Sequence, residues 1–240
     1  LKGDCPSFVT VTPGTTDRTQ NATAAELAAD SLPRPTVTRA LKGPGTDVAT
    51  LRITGIGGTG VVTISQILAT AATLDGHAAR TVDMTGLAQK GGAVVSDVKI
   101  SNRPIELAAK VASGTCDLYL ACDSLVAADA VNLKVTAPDR TTAVVSTTRI
   151  PTGSMVVDTS VGFPSDAQIH DVIDSRVART VYLDPGALST ELFGHEQYAN
   201  MLAVGAAYQA GALPISAESV ERAIGLNGVA VAANTQAFRR

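Results

Sequence analysis

From Thr50 onward the chain alternates between two rhythms of apolar residues. Leu51 and Ile53 read as a short strand that runs into glycines at 55, 57, 58 and 60. Val61 to Leu74 is apolar on every side, the pattern of a helix buried against a sheet. Arg80-Thr81-Val82-Asp83 reads as a second strand, and Ala93 to Ile100 as a third, with Val94, Ser96, Val98 and Ile100 on one face. Asp117 to Ala121 predicts a fourth strand with a helix after it to about Val131, and Thr142 to Ser146 a fifth. Pro151 and Gly153 signal a turn, with Val156 and Val157 pairing beside it. Ser165-Asp166-Ala167-Gln168 opens a capped helix before Ile169 and Val172. Thr180 to Asp184 reads as a strand stopped by Pro185.

Helical spacing returns from about Gln197, where Met201, Leu202, Val204 and Tyr208 recur. Pro214 breaks that run and Ser216 starts a further helix. Strand and helix alternate, so the predicted fold is α/β, a Rossmann-like doubly wound, mostly parallel sheet with helices on both faces. Upstream the rhythm is absent. Phe8 to Val11 predicts one short strand, Thr12 to Thr16 a turn, and Ala24 to Ala29 a helical turn; the rest of the stretch to Val48 reads as linker. The division is therefore residues 1–48 and a domain at 49–240.

Composition supports a packed sheet. Of the 240 residues 45% are hydrophobic, only 3% are aromatic and none is Trp, so Ala, Val, Leu and Ile must fill the core. A net charge of −3 gives no electrostatic reason to expect nucleic acid, and no apolar run reaches the roughly 18 residues of a membrane span. Three cysteines at unrelated spacings (Cys5, Cys116, Cys122) argue against a disulfide framework and for the cytoplasm; Cys116 and Cys122 read as small buried hydrophobes.

Thr54-Gly55-Ile56-Gly57-Gly58-Thr59-Gly60 satisfies G-x-G-x-x-G between a strand and a helix. Such a turn brings backbone N–H groups to a helix N-terminus, where partial positive charge favours a phosphate. Asp83, at the end of the next strand, lies where a ribose-binding acid would sit. The same glycines also serve to pack the helix closely on the sheet, and the pattern alone does not choose between these readings.

Several separated motifs resemble one family. Gly55-Ile-Gly-Gly-Thr-Gly-Val-Val-Thr63, Gly76-His77 and Gly86-Leu-Ala-Gln-Lys-Gly-Gly-Ala-Val-Val-Ser96 look like the gamma domain of 2-oxoacid:ferredoxin oxidoreductases. So do Asp117-Leu-Tyr-Leu-Ala-Cys-Asp123, Leu226-Asn-Gly-Val-Ala-Val231 and Gln236-Ala-Phe-Arg239; the likeness is nearest to the fused indolepyruvate-type enzymes and covers about residues 50–240. Leu1-Lys-Gly-Asp-Cys-Pro-Ser-Phe-Val-Thr10 is similar to the end of their ferredoxin-like segment, so residues 1–48 would be that end plus a linker.

The resemblance implies oxidative decarboxylation of an aryl 2-oxoacid to an acyl-CoA, with ferredoxin as electron acceptor. It implies thiamine diphosphate, Mg²⁺, a [4Fe–4S] cluster with Cys5 as its last ligand, and CoA in the full enzyme. No Gly-Asp-Gly with a downstream Asn occurs, so the implied role here is to pack against thiamine-binding and ferredoxin-like domains, perform no reaction alone, and form homo-oligomers. The implied ligand contacts are the glycine turn (Gly55, Gly57, Gly58, Gly60) with Gln89 and Lys90, whose glycine-flanked loop reads either as a CoA contact or as a domain interface.

Other candidates are weaker. His77, His170 and His195 share no metal spacing, and Asp123 reads as a helix cap. Residues 197–207 and 229–233 leave almost no polar face, which predicts either burial in the core or a waiting partner. Two other functions stay open: a free-standing dinucleotide-binding protein and a pure assembly module.

Overall fold

The computed structural model describes residue 41 and residues 47–85, 92–158 and 160–240. The expected strand, turn and helical turn upstream of Val48, together with Cys5, lie outside these residues, as do Gln89 and Lys90. Strand β1 (Val48–Ile56) leads through the glycine turn into helix α1 (Val61–Leu74), whose predicted bounds it matches. Strands β2 (Ala78–Thr85) and β3 (Ala93–Ser101) form a hairpin, and β4 (Leu118–Ala121), β5 (Thr142–Ser146) and β6 (Arg179–Leu183) follow.

The six-stranded sheet has the order β2-β3-β1-β4-β5-β6. β1, β4, β5 and β6 pair in parallel, whereas β3 runs antiparallel to both of its neighbours, β2 and β1. The fold is therefore the mostly parallel α/β sheet expected, with one reversed strand inserted beside β1.

Alternation along each strand divides the core in two. Leu51, Ile53, Val98, Ile100, Leu118, Leu120 and Val144 face one way, onto Ile64, Ile67 and Leu68 of α1 and onto the C-terminal helices. Tyr119, Ala121, Ala143 and Val145 face the other, onto Ala127, Leu133, Ile169 and Ile173. The second face is held by α2 (Ser124–Ala128), α3 (Ala130–Leu133) and α5 (Asp166–Asp174). Each Leu or Ile so buried contributes about 1.5–3 kcal/mol relative to exposure.

On the first face lie α6 (Pro185–Phe193), a 3₁₀ turn at Glu196–Tyr198, α7 (Ala199–Gln209), α8 (Ala217–Asn227) and α9 (Val231–Arg239). Asp75, just past α1, accepts from Ser216 N (2.6 Å) and the hydroxyls of Ser216 and Ser219, so α8 starts beside the end of α1 and runs back along it. Arg239 makes a bidentate pair with Glu221 (2.7 and 2.8 Å) that ties α9 to α8.

Four expectations need correction. The single helix predicted to Val131 is two short ones, because Asp129 is extended (ψ 125°) and caps α3 through Val131 N. Val156 and Val157 do not pair as a strand; they sit in helix α4 (Gly153–Val157), whose start is held by Thr152, so local hydrogen bonding overrides their β preference. Pro185 does not merely stop β6 but opens α6 at a helix position that needs no N–H, behind the Asp184 cap. Finally, of the two readings of residues 197–207 the core one holds for α7 and the waiting partner face falls. Met201, Ala203, Val204 and Ala207 are buried, and α9 approaches so closely that a Cβ on Gly205 would overlap the Phe238 carbonyl. Residues 229–233, by contrast, are largely exposed.

Candidate functional site: a cavity where the sheet switches direction

Two consecutive crossovers leave the sheet in opposite senses at the ends of β1 and β4. The chain after β1 crosses to β2 through α1 on one face, while the chain after β4 crosses to β5 on the other. Open α/β sheets form a crevice at such a point, beyond the carboxyl ends of the strands. Here a cavity of about 490 Å³ occupies it. Its walls come from the glycine turn, Cys122 after β4, Ser146 to Ile150 after β5, Pro185 and Gly186 after β6, and Glu196 to Ala203.

The glycine turn is shaped by three different constraints. A Cβ on Gly55 would overlap Thr59 Oγ1 and lie 2.9 Å from Val61 Cγ2 and 3.1 Å from Cys122 Cβ, so the strand end admits no side chain. Gly58 takes a φ of +104°, which only glycine adopts at little cost. A Cβ on Gly60 would overlap Asn200 Nδ2. Gly57 is less demanding, with its nearest neighbours at 3.8 Å and beyond.

Two of the turn's N–H groups are used internally. Gly57 N donates to Gly92 O (3.0 Å) and Thr59 N to Ile56 O (3.1 Å). The N–H groups of Gly58, Gly60 and the first three residues of α1 meet no acceptor among the described residues. They provide the positive end of a 14-residue helix, suited to an anion.

The opposite wall is polar but mostly self-satisfied. Thr148 Oγ1 donates to Asp184 Oδ1 (2.7 Å) and accepts from Gly186 N (3.3 Å), while Ser146 Oγ accepts from Thr148 N (3.2 Å). Asn200 Oδ1 accepts from Met201 N (2.9 Å), which leaves its Nδ2 toward Gly60. None of Ser146, Thr148, Gly186, Glu196 or Asn200 was legible as a site residue, because each arrives from a segment remote in sequence and carries no motif.

Asp83 does not stand in the crevice beside β1. The reversed strand β3 separates β2 from β1, and Asp83 accepts from Ser96 Oγ (2.5 Å) and Ser65 Oγ (3.2 Å). This placement weakens the dinucleotide reading, which needs the acid on the strand adjacent to the turn. Asp123 caps α2 through Val126 N (2.8 Å) and is fully buried, with no partner for Oδ2 among the described residues. Burial pushes its carboxyl above the ordinary range, only partly offset by backbone hydrogen bonds.

Neither described cysteine is activated by its surroundings. Burial drives the Cys122 thiol up to about 12 and that of Cys116 higher still, and the two belong to opposite faces of the sheet. His170 stacks on Tyr182 (3.8 Å) and His195 packs near Tyr198 (4.9 Å). Among the described residues no three His, Cys, Asp or Glu side chains gather as metal ligands, so they fit neither an iron–sulfur cluster nor the Mg²⁺ of thiamine diphosphate.

Residues 50–240 match the family model described as pyruvate ferredoxin/flavodoxin oxidoreductase. The chain belongs to that family. The match covers most of the chain and runs from β1 to its end, so the glycine turn, the cavity and the C-terminal helices are all parts of the family domain. Indolepyruvate oxidoreductase subunit IorB of Pyrococcus horikoshii is 27% identical over 190 residues, 78% of this chain and 90% of that protein.

Solved structures agree on the fold. The gamma subunit of a keto/oxoacid ferredoxin oxidoreductase from Geobacter sulfurreducens aligns with a TM-score of 0.54 at 22% identity, over 79% of this chain and 94% of that one. Pyruvate oxidoreductase subunit PORC of Thermotoga maritima gives 0.59 at 16% identity, over 81% and 94%. The 2-oxoglutarate:ferredoxin oxidoreductase of Magnetococcus marinus, solved with 2-oxoglutarate, coenzyme A and succinyl-CoA, gives 0.59 at 20%; it covers 80% of this chain and 30% of that one. Each of these relatives is named as an oxidoreductase or as a subunit of one. No helix among the described residues is long and apolar enough to cross a membrane.

Proposed function

We propose that this chain is the gamma-type domain of a thiamine diphosphate-dependent indolepyruvate:ferredoxin oxidoreductase, that it packs over the thiamine-binding domains, and that it performs no turnover alone. The observation that carries this reading is where its exposed apolar side chains fall. Val156, Val157 and Val161 are 43%, 68% and 41% exposed on the segment between Arg149 and Asp166, two residues paired at 2.8 Å. Ile150 of that segment lines the cavity, which puts the group at the carboxyl end of the sheet. Leu226, Val229 and Val231 are exposed where α8 has run back along α1 toward its glycine-turn end. Exposed apolar side chains on these two segments suit surface that another domain covers.

Within that assembly the cavity would hold part of CoA. Its anionic phosphates suit the N-terminus of α1, and the apolar lining of Ile56, Ile150, Ala199 and Ala203 suits its uncharged arm. Coenzyme A serves the full enzyme as acyl acceptor; this chain's own part is to bind and orient it and to exclude water. Gln89 and Lys90, on the loop whose end Gly92 is held by Gly57, are proposed as further contacts, and Cys5 as a cluster ligand with partners elsewhere. Thiamine diphosphate, Mg²⁺ and ferredoxin would be handled by the partner domains. The identity with IorB supports indolepyruvate as substrate.

The test is indolepyruvate-dependent dye reduction with thiamine diphosphate, Mg²⁺ and CoA supplied. No turnover is expected from the chain alone, and turnover is expected once the thiamine-binding and cluster-binding domains are added. Turnover by the chain alone would overturn the reading.

A further inference from the structure

We infer that Asn227 is a modification site: its side-chain amide is lost spontaneously through a cyclic imide formed with Gly228, which leaves a carboxylate on the exposed turn between α8 and α9. Asn227-Gly228 is the chain's only Asn-Gly pair. Gly228 has no side chain to hold its nitrogen away from the Asn227 amide carbon, and nothing lies within 4 Å of where a Cβ would stand.

Surroundings single out this asparagine. Asn102, Asn132, Asn200 and Asn234 each hold a side-chain hydrogen bond, with Leu41 O, Val126 O, Met201 N and Val229 O, and each precedes a residue that has a side chain. Asn227 is exposed, and its amide meets no partner among the described residues. The reaction needs the last turn of α8 to open, because Gly228 N donates to Ile224 O at 3.3 Å. Opening costs little there, since residues 225–230 are all exposed and no core contact is lost. Strain favours it further. Ala230, at φ 41° and ψ 47°, is the one described non-glycine residue in the left-handed region, which its Cβ disfavours.

Atoms balance with water as the only co-reactant. Gly228 N gives its proton to a solvent base and bonds to Asn227 Cγ, the Cγ–Nδ2 bond breaks, and the amide nitrogen leaves as ammonia. Water then opens the ring at either carbonyl and gives aspartate or its β-linked isomer. The new charge stands between the exposed Leu226 and Val229, at the negative end of α8. On the reading that another domain covers this apolar surface, the carboxylate would have to be desolvated on docking and so opposes it.

The chain is aged in warm, mildly alkaline buffer and mapped by peptide mass spectrometry. The expected result is the mass gain of an amide turned to an acid, concentrated in the Asn227 peptide and present in both isomeric forms. No gain there, or a gain no faster than at the other asparagines, overturns the inference. Ala230→Gly relieves the strain and should slow the gain severalfold; an equal or faster rate would contradict the part given to the turn. The aged chain should lose its complex with the thiamine-binding domains, and an aged chain that still joins them overturns the effect on docking. If the fresh chain forms no such complex, the contact reading falls, while Asn227 is still judged by mass.

Discussion

The Gly57 N–H donates to the Gly92 carbonyl at 3.0 Å, so the glycine turn after β1 and the end of the β2–β3 loop are held together. A backbone group that might have served a phosphate is committed to the fold instead. The turn's glycines are consequently not equivalent. An added Cβ on Gly57 would meet nothing nearer than 3.8 Å, so Gly57→Ala should melt within about 0.5 kcal/mol of wild type. Gly58→Ala, at φ +104°, should cost about 1 kcal/mol or more. Gly55→Ala should cost the most, since the new carbon meets Thr59, Val61 and Cys122 together. Urea unfolding of the three variants checks this order.

Arg52 and Asp97 face each other across β1 and β3 as a fully bidentate buried pair, at 2.7 and 2.8 Å. Asp97 Oδ2 also accepts from Val111 N (2.8 Å), which pins the long loop after β3 to the sheet. Burial alone would disfavour the charged guanidinium, but Asp97 more than offsets it. Asp97→Asn leaves a buried cation without its counter-charge and should cost about 3–5 kcal/mol. Replacing both residues by leucine should cost markedly less than the sum of the single changes. A double-mutant cycle read by chemical denaturation decides it; additive losses would mean that the two charges do not act as a pair.

Much of this fold is legible in the sequence. The apolar run Val61–Leu74 reads directly as a helix, although only one side of it is buried, and five of the six strands are recognisable by alternation or apolar content alone. The remaining strand, β1, is legible only from Leu51 and Ile53. What local pattern does not carry is pairing. Nothing in Ala93–Ser101 says that it inserts, reversed, between β2 and β1, and that insertion is what moves Asp83 away from the turn. Val156 and Val157 mislead because two valines favour a strand only when a neighbour is there to pair with them. The motif half of the cavity is readable for the same reason that the other half is not. Glycines announce a turn by themselves, whereas Asn200 and Thr148 gain their meaning from contacts made over long separations.

Asp123 gives the pH prediction. Its carboxyl is held above the ordinary value by burial, so protonated Asp123 favours the folded state and ionised Asp123 opposes it. The contribution is fully present below the unfolded value of about 3.9 and is lost as pH rises through the higher folded value. Asp123→Asn keeps the cap to Val126 N and cannot ionise. It should therefore raise stability at pH 7 and lose that advantage as pH falls toward the unfolded value. Melting temperatures of both proteins from pH 3 to pH 8 check it; a difference independent of pH would refute the assignment.

The central claim is that the carboxyl end of the sheet is a contact face for the thiamine-binding domains. Val157 and Val229, 68% and 64% exposed, test it because neither supports the chain's own core. Val157→Asp combined with Val229→Asp should leave the chain's melting temperature unchanged, within about 0.5 kcal/mol in stability. Sedimentation velocity of the chain mixed with the purified thiamine-binding domains is the direct measurement. A complex formed by the wild type and lost by the double variant is the predicted result, and a complex that both form equally well would contradict it.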